Sequence, residues 1–262
     1  MTLPEALIFD VDGTLADTER DGHLPAFNRA FKDAGLDWHW EISEYGQLLE
    51  VSGGRERILS YIKNNNIKIK NIDNYDDFAS DLHMAKNRHY SAALAAGKIR
   101  LRPGIWRLIS EARQSGIRLA IATTSLRENV EDLLRTTLEQ GTADLFEVLA
   151  TANEVADKKP SPAVYDYVLD RLELTAADCL VFEDSQQGLW ASRTLGLATI
   201  ITVNEFTRHQ DFTGALLVVD HLGDDEQAMR VLGGQARDIV DNHRKMIDLA
   251  VINEIFGTQG DG

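Results

Sequence analysis

The chain has 262 residues, 44% of them hydrophobic, and a formal net charge of −15. This size allows one or two domains with a substantial core. The acidic balance argues against nucleic acid and against an anionic membrane as partners, because both require a basic surface. The sequence has no apolar run near the roughly 20 residues that span a bilayer, no pattern of a secretory signal and one cysteine, Cys179. These features predict a cytoplasmic protein without an internal disulfide.

Short apolar runs, each typical of a buried strand, recur along the chain. In chain order they are ALIF (6–9), IRLAIA (117–122), FEVLA (146–150), CLVF (179–182), LATIIT (197–202) and ALLVV (215–219). Amphipathic stretches that predict helices lie between the later runs, at 105–116, 161–174 and 186–196. This alternation predicts an α/β fold whose core is a Rossmann-like, doubly wound parallel sheet with helices on both faces.

The segment between the first two strands has a different pattern. It contains no strand-like run, and its apolar residues recur at helical spacing. The helical patterns comprise Leu24, Phe27, Ala30 and Phe31, then Ile58, Leu59 and Ile62, then the long stretch 76–96. We therefore predict an all-helical cap domain at 17–97, inserted into a catalytic core formed by 1–16 and 98–262. Trp38 and Trp40 are expected to pack inside the cap.

The tail predicts one further amphipathic helix. Its apolar face would contain Ile239, Val240, His243, Met246, Ile247 and Ala250. We expect this helix to pack on the core, with a dimer contact as the alternative. The protein is accordingly expected to be a monomer or a weak dimer.

Reactive side chains follow four of the predicted strands. In strand order they are Asp10 and Asp12, then Thr123, Thr124 and Ser125, then Lys158 and Lys159, then Glu183 and Asp184. Ligands of an open parallel sheet bind beyond the carboxyl ends of its strands, so we expect these groups to meet. A strand that simply ends in an Asx turn is the alternative for the first aspartate pair.

These stretches resemble the haloacid dehalogenase superfamily of phosphoryl-transfer enzymes, in the branch with a helical cap after the first motif. DVDGT is similar to the first motif, the hydroxyl after LAIAT to the second, Lys159–Pro160 to the third and EDS to the fourth. The resemblance covers nearly the whole chain, except the tail after about Leu222. It implies an aspartyl-phosphate mechanism and a Mg²⁺ cofactor.

The resemblance implies a role for each of these side chains. Asp10 would attack phosphorus as the nucleophile, and Asp12, two residues further along an extended chain, would act as acid and base on the same side. Thr123 and the amide of Thr124 would bind the transferring phosphoryl oxygens. Lys159 would balance the charge of nucleophile and phosphate, with Lys158 as the competing choice.

The acidic cluster predicts a metal site. Asp10, Glu183 and Asp184 crowd negative charge, and their hard oxygen ligands suit Mg²⁺. The resemblance adds the backbone carbonyl of Asp12 as a ligand. Glu183 would bind either directly or through water, and Asp184 could also cap the helix that follows it.

Asp12 also narrows the reaction, because the dehalogenases of this superfamily have no aspartate there. The lysine that the phosphonate hydrolases carry in the cap is missing as well. A phosphatase or a phosphomutase remains.

Side chains outside the four motifs are candidates for binding the substrate. Arg55 follows two glycines, where a loop could bring its guanidinium to a second phosphate. Glu19 and His23, at the entry to the cap, could bind substrate hydroxyls. Arg208 and His209, after the fifth strand, could reach a distal phosphate from the core. A solvated surface position is the alternative for Arg55 and for His23.

Local stretches are most similar to the Calvin-cycle-associated branch known as CbbY, whose members dephosphorylate xylulose 1,5-bisphosphate. These stretches are DTERDGH, AFNRAF, GGRERI, LRPGI and TRHQDF. The expected partner is therefore a small phosphorylated sugar. The alternatives are a sugar phosphomutase of the β-phosphoglucomutase type, another small-metabolite phosphatase such as a phosphoglycolate phosphatase, or a non-catalytic binding protein on the same fold.

Overall fold

The computed structural model describes residues 3–51, 53–70, 72–138, 145–240 and 244–257. It divides into two compact units, one formed by Met1–Asp17 with Arg100–Gly262 and the other by Thr18–Ile99. The domain boundaries expected from the sequence, at 16/17 and 97/98, stay a prediction. No helix among the described residues is long and apolar enough to cross a membrane.

The first unit is built on a seven-stranded sheet. Its strands are β1 (Ala6–Phe9), β2 (Arg118–Ala122), β3 (Val148–Ala150), β4 (Cys179–Glu183), β5 (Ala198–Thr202), β6 (Leu217–Val219) and β7 (Val231–Gly233). They lie in the order β3-β2-β1-β4-β5-β6-β7. All neighbours are parallel except β6 and β7, which are antiparallel. The doubly wound α/β core predicted from the sequence is confirmed.

Helices connect and cover these strands. They are α5 (Ile105–Gln114), α6 (Arg127–Thr137), α7 (Ala163–Leu172), α8 (Gln186–Thr194) and α9 (Leu249–Phe256). Buried residues of α7 pack with Ala6 and Ile8 of β1 in one apolar cluster, while α5 packs against both β2 and α9. The helix over 127–137 and the strand β7 have no counterpart in the sequence-based prediction.

The tail differs from its prediction. The apolar spacing of 239–250 predicts a helix there, but α9 begins only at Leu249, where the Asp248 side chain caps the amide of Val251. Val240 and Ile247 are buried in irregular backbone instead, so their spacing reflects loop packing rather than a helix face. His243 lies outside the described residues.

The second unit is helical. A π-helical turn (Glu19–His23) leads into α1 (Leu24–Asp33), followed by α2 (Ile42–Leu48), α3 (Gly54–Asn64) and α4 (Tyr75–Ala95). Its core is aromatic: Trp40 is fully buried and lies with its ring centroid 4.8 Å from Phe27 and 4.7 Å from Phe31. Trp38 packs edge-on to Phe31 at 5.4 Å. Both tryptophans therefore pack inside this unit, as predicted.

Candidate active site

The ends of β1, β2 and β4 lie side by side because β1 is paired with the other two. Phe9 is level with Ile121 on one side and with Phe182 on the other. The next residues along each strand, Asp10 after β1 and Glu183 at the end of β4, therefore meet at one edge of the sheet. The structure brings together the groups that sequence reasoning placed after these strands.

Lys159 is the lysine that reaches this edge. Its Nζ donates to Asp10 Oδ1 at 2.7 Å, to Glu183 Oε1 at 2.5 Å and to the carbonyl of Ala122 at 2.9 Å. The same ammonium lies 5.1 Å from the ring centroid of Tyr165. Lys158 is exposed, so geometry favours Lys159 for the charge-balancing role.

Burial and charge shift the ionisation of this pair. Burial raises the pKa of Asp10 from 3.8 to about 7; the ammonium of Lys159 opposes this rise, and Glu183 and Asp12 add to it. Burial acts to lower the pKa of Lys159, but the carboxylates of Asp10 and Glu183 raise it well above its usual value. Lys159 therefore favours its charged form, while Asp10 would be only partly ionised near neutral pH without further positive charge.

Three buried carboxyl groups can hold a metal ion. One oxygen from each of Asp10, Glu183 and Asp184 lies within 4.8 Å of the others. Burial raises the pKa of Asp184 well above its usual value; Glu183 and Asp10 add to the rise, and Arg102 and Asn204 oppose it. The three carboxyl groups therefore remain short of positive charge even with Lys159 and Arg102 nearby. The donor set is all oxygen, which fits Mg²⁺.

Glu183 is already held by hydrogen bonds at both oxygens. Oε1 accepts from Lys159 and, at 2.7 Å, from the hydroxyl of Tyr165. Oε2 accepts from the amides of Asp184 at 3.0 Å and Ser185 at 3.3 Å, and from the Ser185 hydroxyl at 3.2 Å. Asp10 and Asp184 are therefore the more available ligands, and Glu183 orients Lys159.

The loop after β2 contacts the second aspartate. The hydroxyl of Ser125 donates to Asp12 Oδ2. Its amide donates to Thr123 Oγ1 at 3.1 Å, which leaves the Thr123 hydroxyl hydrogen directed elsewhere and available to a phosphoryl oxygen. Thr123 is buried and Thr124 is exposed. A metal contact by the Asp12 carbonyl stays a prediction.

Glu19 and His23 lie on the π-helical turn of the second unit. Glu19 Oε2 accepts from the hydroxyl of Tyr45, and the buried ring of His23 stacks on Tyr90 at 4.1 Å. A Cβ at Gly22 would overlap Tyr90 and Ile99, so glycine permits this close approach. Turns of this kind are rare and are frequent at functional sites.

Arg55 lies in the first turn of α3, not in the flexible loop that the glycines suggested. Its guanidinium donates to Asp76 at 2.7 Å and to Glu56 at 3.2 Å. Two acids therefore already compensate its charge, and a second phosphate would have to compete with them.

Two other cations of the second unit, Arg57 and Lys86, are buried. Arg57 donates to the carbonyl of Leu48 and the hydroxyl of Tyr45, both at 3.0 Å. Lys86 Nζ lies 5.3 Å from the ring centroid of Phe27. Burial lowers the pKa of His83 to about 4, and Lys86 adds to this fall. This interior therefore contains two buried cations that sequence reasoning missed.

Arg208 and His209 lie on the turns after β5. Both side chains are exposed, and neither makes a side-chain hydrogen bond to the described residues. The structure therefore does not bring them into the cluster at the strand ends, and their contact with a substrate stays a prediction.

Sequence reasoning missed three core side chains that contact this cluster or its loops: Arg102, Tyr165 and Asn204. Ser125 was named among the hydroxyls after β2 but was given no role. The others act through tertiary contacts, which neither residue type nor spacing reveals.

Comparison with known proteins gives consistent relatives. The family model of the haloacid dehalogenase-like hydrolases matches residues 4–196. Protein CbbY of Cupriavidus necator is 46% identical over 225 residues, which are 86% of this chain and 88% of that one. A phosphorylated carbohydrates phosphatase of Thermotoga maritima is 32% identical over 200 residues, 76% of this chain and 85% of the relative.

Solved structures agree with these relatives. CbbY from Rhodobacter sphaeroides, crystallised with phosphate, is 41% identical and superposes with a TM-score of 0.74 over 84% of this chain and 95% of that one. A mutant of that protein has been crystallised with xylulose-(1,5)bisphosphate and superposes equally well, with a TM-score of 0.74.

Proposed function

The chain belongs to the haloacid dehalogenase-like hydrolase family and is a phosphatase, and from this premise we propose that it is Mg²⁺-dependent and hydrolyses a small sugar phosphate, with xylulose 1,5-bisphosphate as the favoured substrate. The observation that carries the proposal is the position of Lys159. Its ammonium joins Asp10 to Glu183 beside Asp184, which is an arrangement for a charged nucleophile next to a cation.

The first half of the proposed reaction forms an aspartyl phosphate. An oxygen of Asp10 attacks phosphorus as the bond from phosphorus to the sugar oxygen breaks. Asp12 donates its proton to the leaving oxygen. Thr123 and the amide of Thr124 donate hydrogen bonds to the phosphoryl oxygens, and Lys159 offsets the charge that gathers there.

The second half releases phosphate. Asp12, now a carboxylate, takes a proton from water as the water oxygen attacks phosphorus, and the bond to Asp10 breaks. The hydrogen bond from Ser125 to Asp12 holds that carboxyl beside the reacting groups. Asp10 returns to its ionised form, and inorganic phosphate leaves.

The metal would be held by Asp10, Asp184 and the backbone carbonyl of Asp12, with Glu183 binding either directly or through water. When bound, Mg²⁺ supplies positive charge that favours the ionised nucleophile and attracts phosphate oxygens. The raised pKa of Asp10, about 7, supports this assignment because the site needs a cation to ionise the nucleophile fully.

The substrate class is supported by the similarity to CbbY and by the cations of the second unit. The CbbY relative from Rhodobacter sphaeroides binds xylulose 1,5-bisphosphate as a mutant, and its extent of similarity covers most of both chains. The buried cations Arg57 and Lys86 and the more exposed Arg55 would attract a second phosphate, and Glu19 and His23 would bind sugar hydroxyls. We further propose that the protein is a Calvin-cycle-associated phosphatase and that it is located in the cytoplasm.

A substrate panel tests this function. Phosphate release with Mg²⁺ would be measured from xylulose 1,5-bisphosphate, ribulose 1,5-bisphosphate, β-glucose 1-phosphate and phosphoglycolate. The proposal predicts a strong preference for the xylulose over the ribulose bisphosphate. Equal and weak activity on all four would contradict the substrate and leave the phosphatase assignment standing.

Two alternatives differ in what the same panel and one variant would show. A sugar phosphomutase would convert β-glucose 1-phosphate without releasing phosphate. A non-catalytic binding protein would keep its function in Asp10→Asn, whereas the phosphatase would lose turnover.

A further inference from the structure

Arg102 is a buried arginine that the proposed reaction does not use. Only 8% of the residue is exposed, and its guanidinium forms an ion pair with Asp17 at 3.3 Å. Burying a guanidinium is costly unless its donors are satisfied. The backbone carbonyls that satisfy them indicate what this residue does.

These carbonyls belong to the loops at the carboxyl ends of three strands. Arg102 donates to the carbonyls of Gly13 after β1, Thr202 and Val203 at the end of β5, and Asp220 after β6. The bonds to Thr202, Val203 and Asp220 measure 2.8, 2.7 and 2.7 Å. A planar fork with five donors can hold three loops at fixed separations, which a single ammonium cannot do.

Two of the loops held by Arg102 enclose the Asp184 carboxyl group. Next to Val203, the Nδ2 of Asn204 donates to Asp184 Oδ2 at 2.6 Å. From the other side Gly13, with φ of +86°, approaches so closely that a Cβ there would overlap both Asp184 Oδ2 and Asn204 Nδ2. The position of Asp184 is thus set by Gly13 and Asn204, whose loops Arg102 ties together.

We propose that Arg102 is a positioning residue for the metal centre, an inference that rests on the proposed Mg²⁺-dependent function. It acts through Gly13 and Asn204, which keep one oxygen of Asp184 engaged and present the rest of that carboxyl group to the cation. Residues behind metal ligands typically change metal affinity by about 10- to 100-fold when altered. Arg102 should therefore affect Mg²⁺ affinity beyond its effect on folding.

Arg107 provides a matched control. It is a half-buried arginine whose guanidinium also binds backbone carbonyls, those of Gly223 at 3.1 Å and Ile247 at 2.9 Å. These carbonyls lie in the tail and not in the loops around Asp184. Arg102→Lys and Arg107→Lys each keep the positive charge but lose the planar guanidinium. Both variants therefore test hydrogen bonding to backbone carbonyls within the first unit.

The test measures Mg²⁺ affinity by titration calorimetry on full-length folded protein, with folding checked by circular dichroism. We expect the Mg²⁺ Kd to rise about tenfold or more in Arg102→Lys and to stay within about twofold of wild type in Arg107→Lys. Asn204→Ala removes the side-chain amide that donates to Asp184, and it should also raise the Mg²⁺ Kd. This variant decides the question if Arg102→Lys does not fold.

Contrary results separate the inference from the function. If Arg102→Lys binds Mg²⁺ as tightly as the wild type, the positioning role is overturned. The same holds for Asn204→Ala if Arg102→Lys does not fold. In both cases the wild-type protein would still bind Mg²⁺, so the proposed function would stand. An equal loss in Arg102→Lys and Arg107→Lys would also overturn it, as a general effect of destabilisation. No Mg²⁺ binding by the wild-type protein would overturn the proposed function and the inference together.

Discussion

At the scale of single residues, the site depends on one ammonium shared by two carboxylates. Lys159 lies 2.7 Å from Asp10 and 2.5 Å from Glu183, with its side chain only 7% exposed. In such a buried place each charge is costly unless paired. Removing the lysine would leave two buried acids facing each other.

We predict that Lys159→Met lowers kcat/KM by about 100-fold or more, because the charge opposite nucleophile and phosphate is lost. Lys158→Met is the control, since Lys158 is exposed and should keep near wild-type activity. Steady-state phosphate release measures both variants. A similar fall in the two would show that the loop, and not the ammonium at residue 159, supports activity.

A second prediction concerns Arg55. If it binds the second phosphate of a bisphosphate, Arg55→Ala should raise KM for xylulose 1,5-bisphosphate about tenfold and change KM for monophosphates much less. Arg29→Ala serves as the control, because Arg29 is a surface residue paired with Asp33 at 3.1 Å.

The ion pairs of Arg55 make the opposite result meaningful. Its guanidinium is engaged with Asp76 and Glu56. Equal losses on bisphosphates and monophosphates would assign Arg55 to the packing of α3 on α4 and leave Arg57 and Lys86 as the cations for a second phosphate.

Residues of the site differ in how far the sequence reveals them. Asp10 and Glu183 follow recognisable strands, so their meeting is predictable from the parallel sheet. The roles of Tyr165 and Asn204 are not predictable from the sequence. Each acts through a hydrogen bond, to a residue 18 positions away for Tyr165 and 20 positions away for Asn204. The choice between Lys158 and Lys159 needed the resemblance, since spacing alone allows both.

At the scale of elements, the first turn of α8 lies close to the end of β4. Gly188 is in the first turn of α8, and a Cβ there would overlap the carboxyl group of Glu183. Ser185 caps the helix by accepting from the Gly188 amide at 3.1 Å. The start of α8 therefore fixes the carboxylate that in turn holds Lys159.

This contact reverses the usual effect of a helix substitution. Glycine to alanine in a helix normally stabilises by about 1 kcal/mol, but we predict that Gly188→Ala lowers the free energy of unfolding by about 1–3 kcal/mol through overpacking. Activity should fall as well. Urea unfolding measures the change.

Gln187→Ala, at the exposed neighbouring position, is the control and should change stability by less than about 0.5 kcal/mol. Stabilisation by Gly188→Ala, with normal activity, would contradict the close approach of α8 to Glu183.

The predictability of the elements follows their burial. β1, β4 and β5 are buried throughout, so continuous apolar runs identify them. β7 has three residues, none of them buried, and is defined only by pairing with β6. The helix prediction for the tail was wrong because Val240 and Ile247 are buried in irregular backbone. Apolar periodicity alone does not distinguish a buried loop from a buried helix face.

At the scale of the whole molecule, net charge and the buried acids act together. The chain carries −15, and the pKa values of both Asp10 and Asp184 are raised. A carboxyl group whose pKa is raised on folding binds more protons folded than unfolded. Without a cation, its contribution to stability therefore falls as pH rises from the unfolded value of 3.8 toward about 7.

We therefore predict that Mg²⁺ stabilises the protein more at about pH 8 than at about pH 5, because the bound cation relieves the ionised acids and stabilises the native state by mass action. Thermal unfolding with Mg²⁺ or with a chelator at the two pH values measures this. Asp10→Asn, which has no proton to lose at that position, should show a smaller pH dependence. Equal Mg²⁺ stabilisation of the wild type at both pH values would contradict a metal held by these carboxyl groups.

Asp10 is the nucleophile on which every step of the proposed mechanism depends, and trapping its phosphorylated form tests this role directly. Asp12→Asn would be mixed with acetyl phosphate and Mg²⁺, acid-quenched and mapped by peptide mass spectrometry. Acetate leaves without needing a proton, whereas hydrolysis of the intermediate lacks its base. We predict one phosphoryl group on Asp10, absent from Asp10→Asn treated identically. Phosphate released without a modified Asp10, or a phosphoryl group on another residue, would contradict the mechanism.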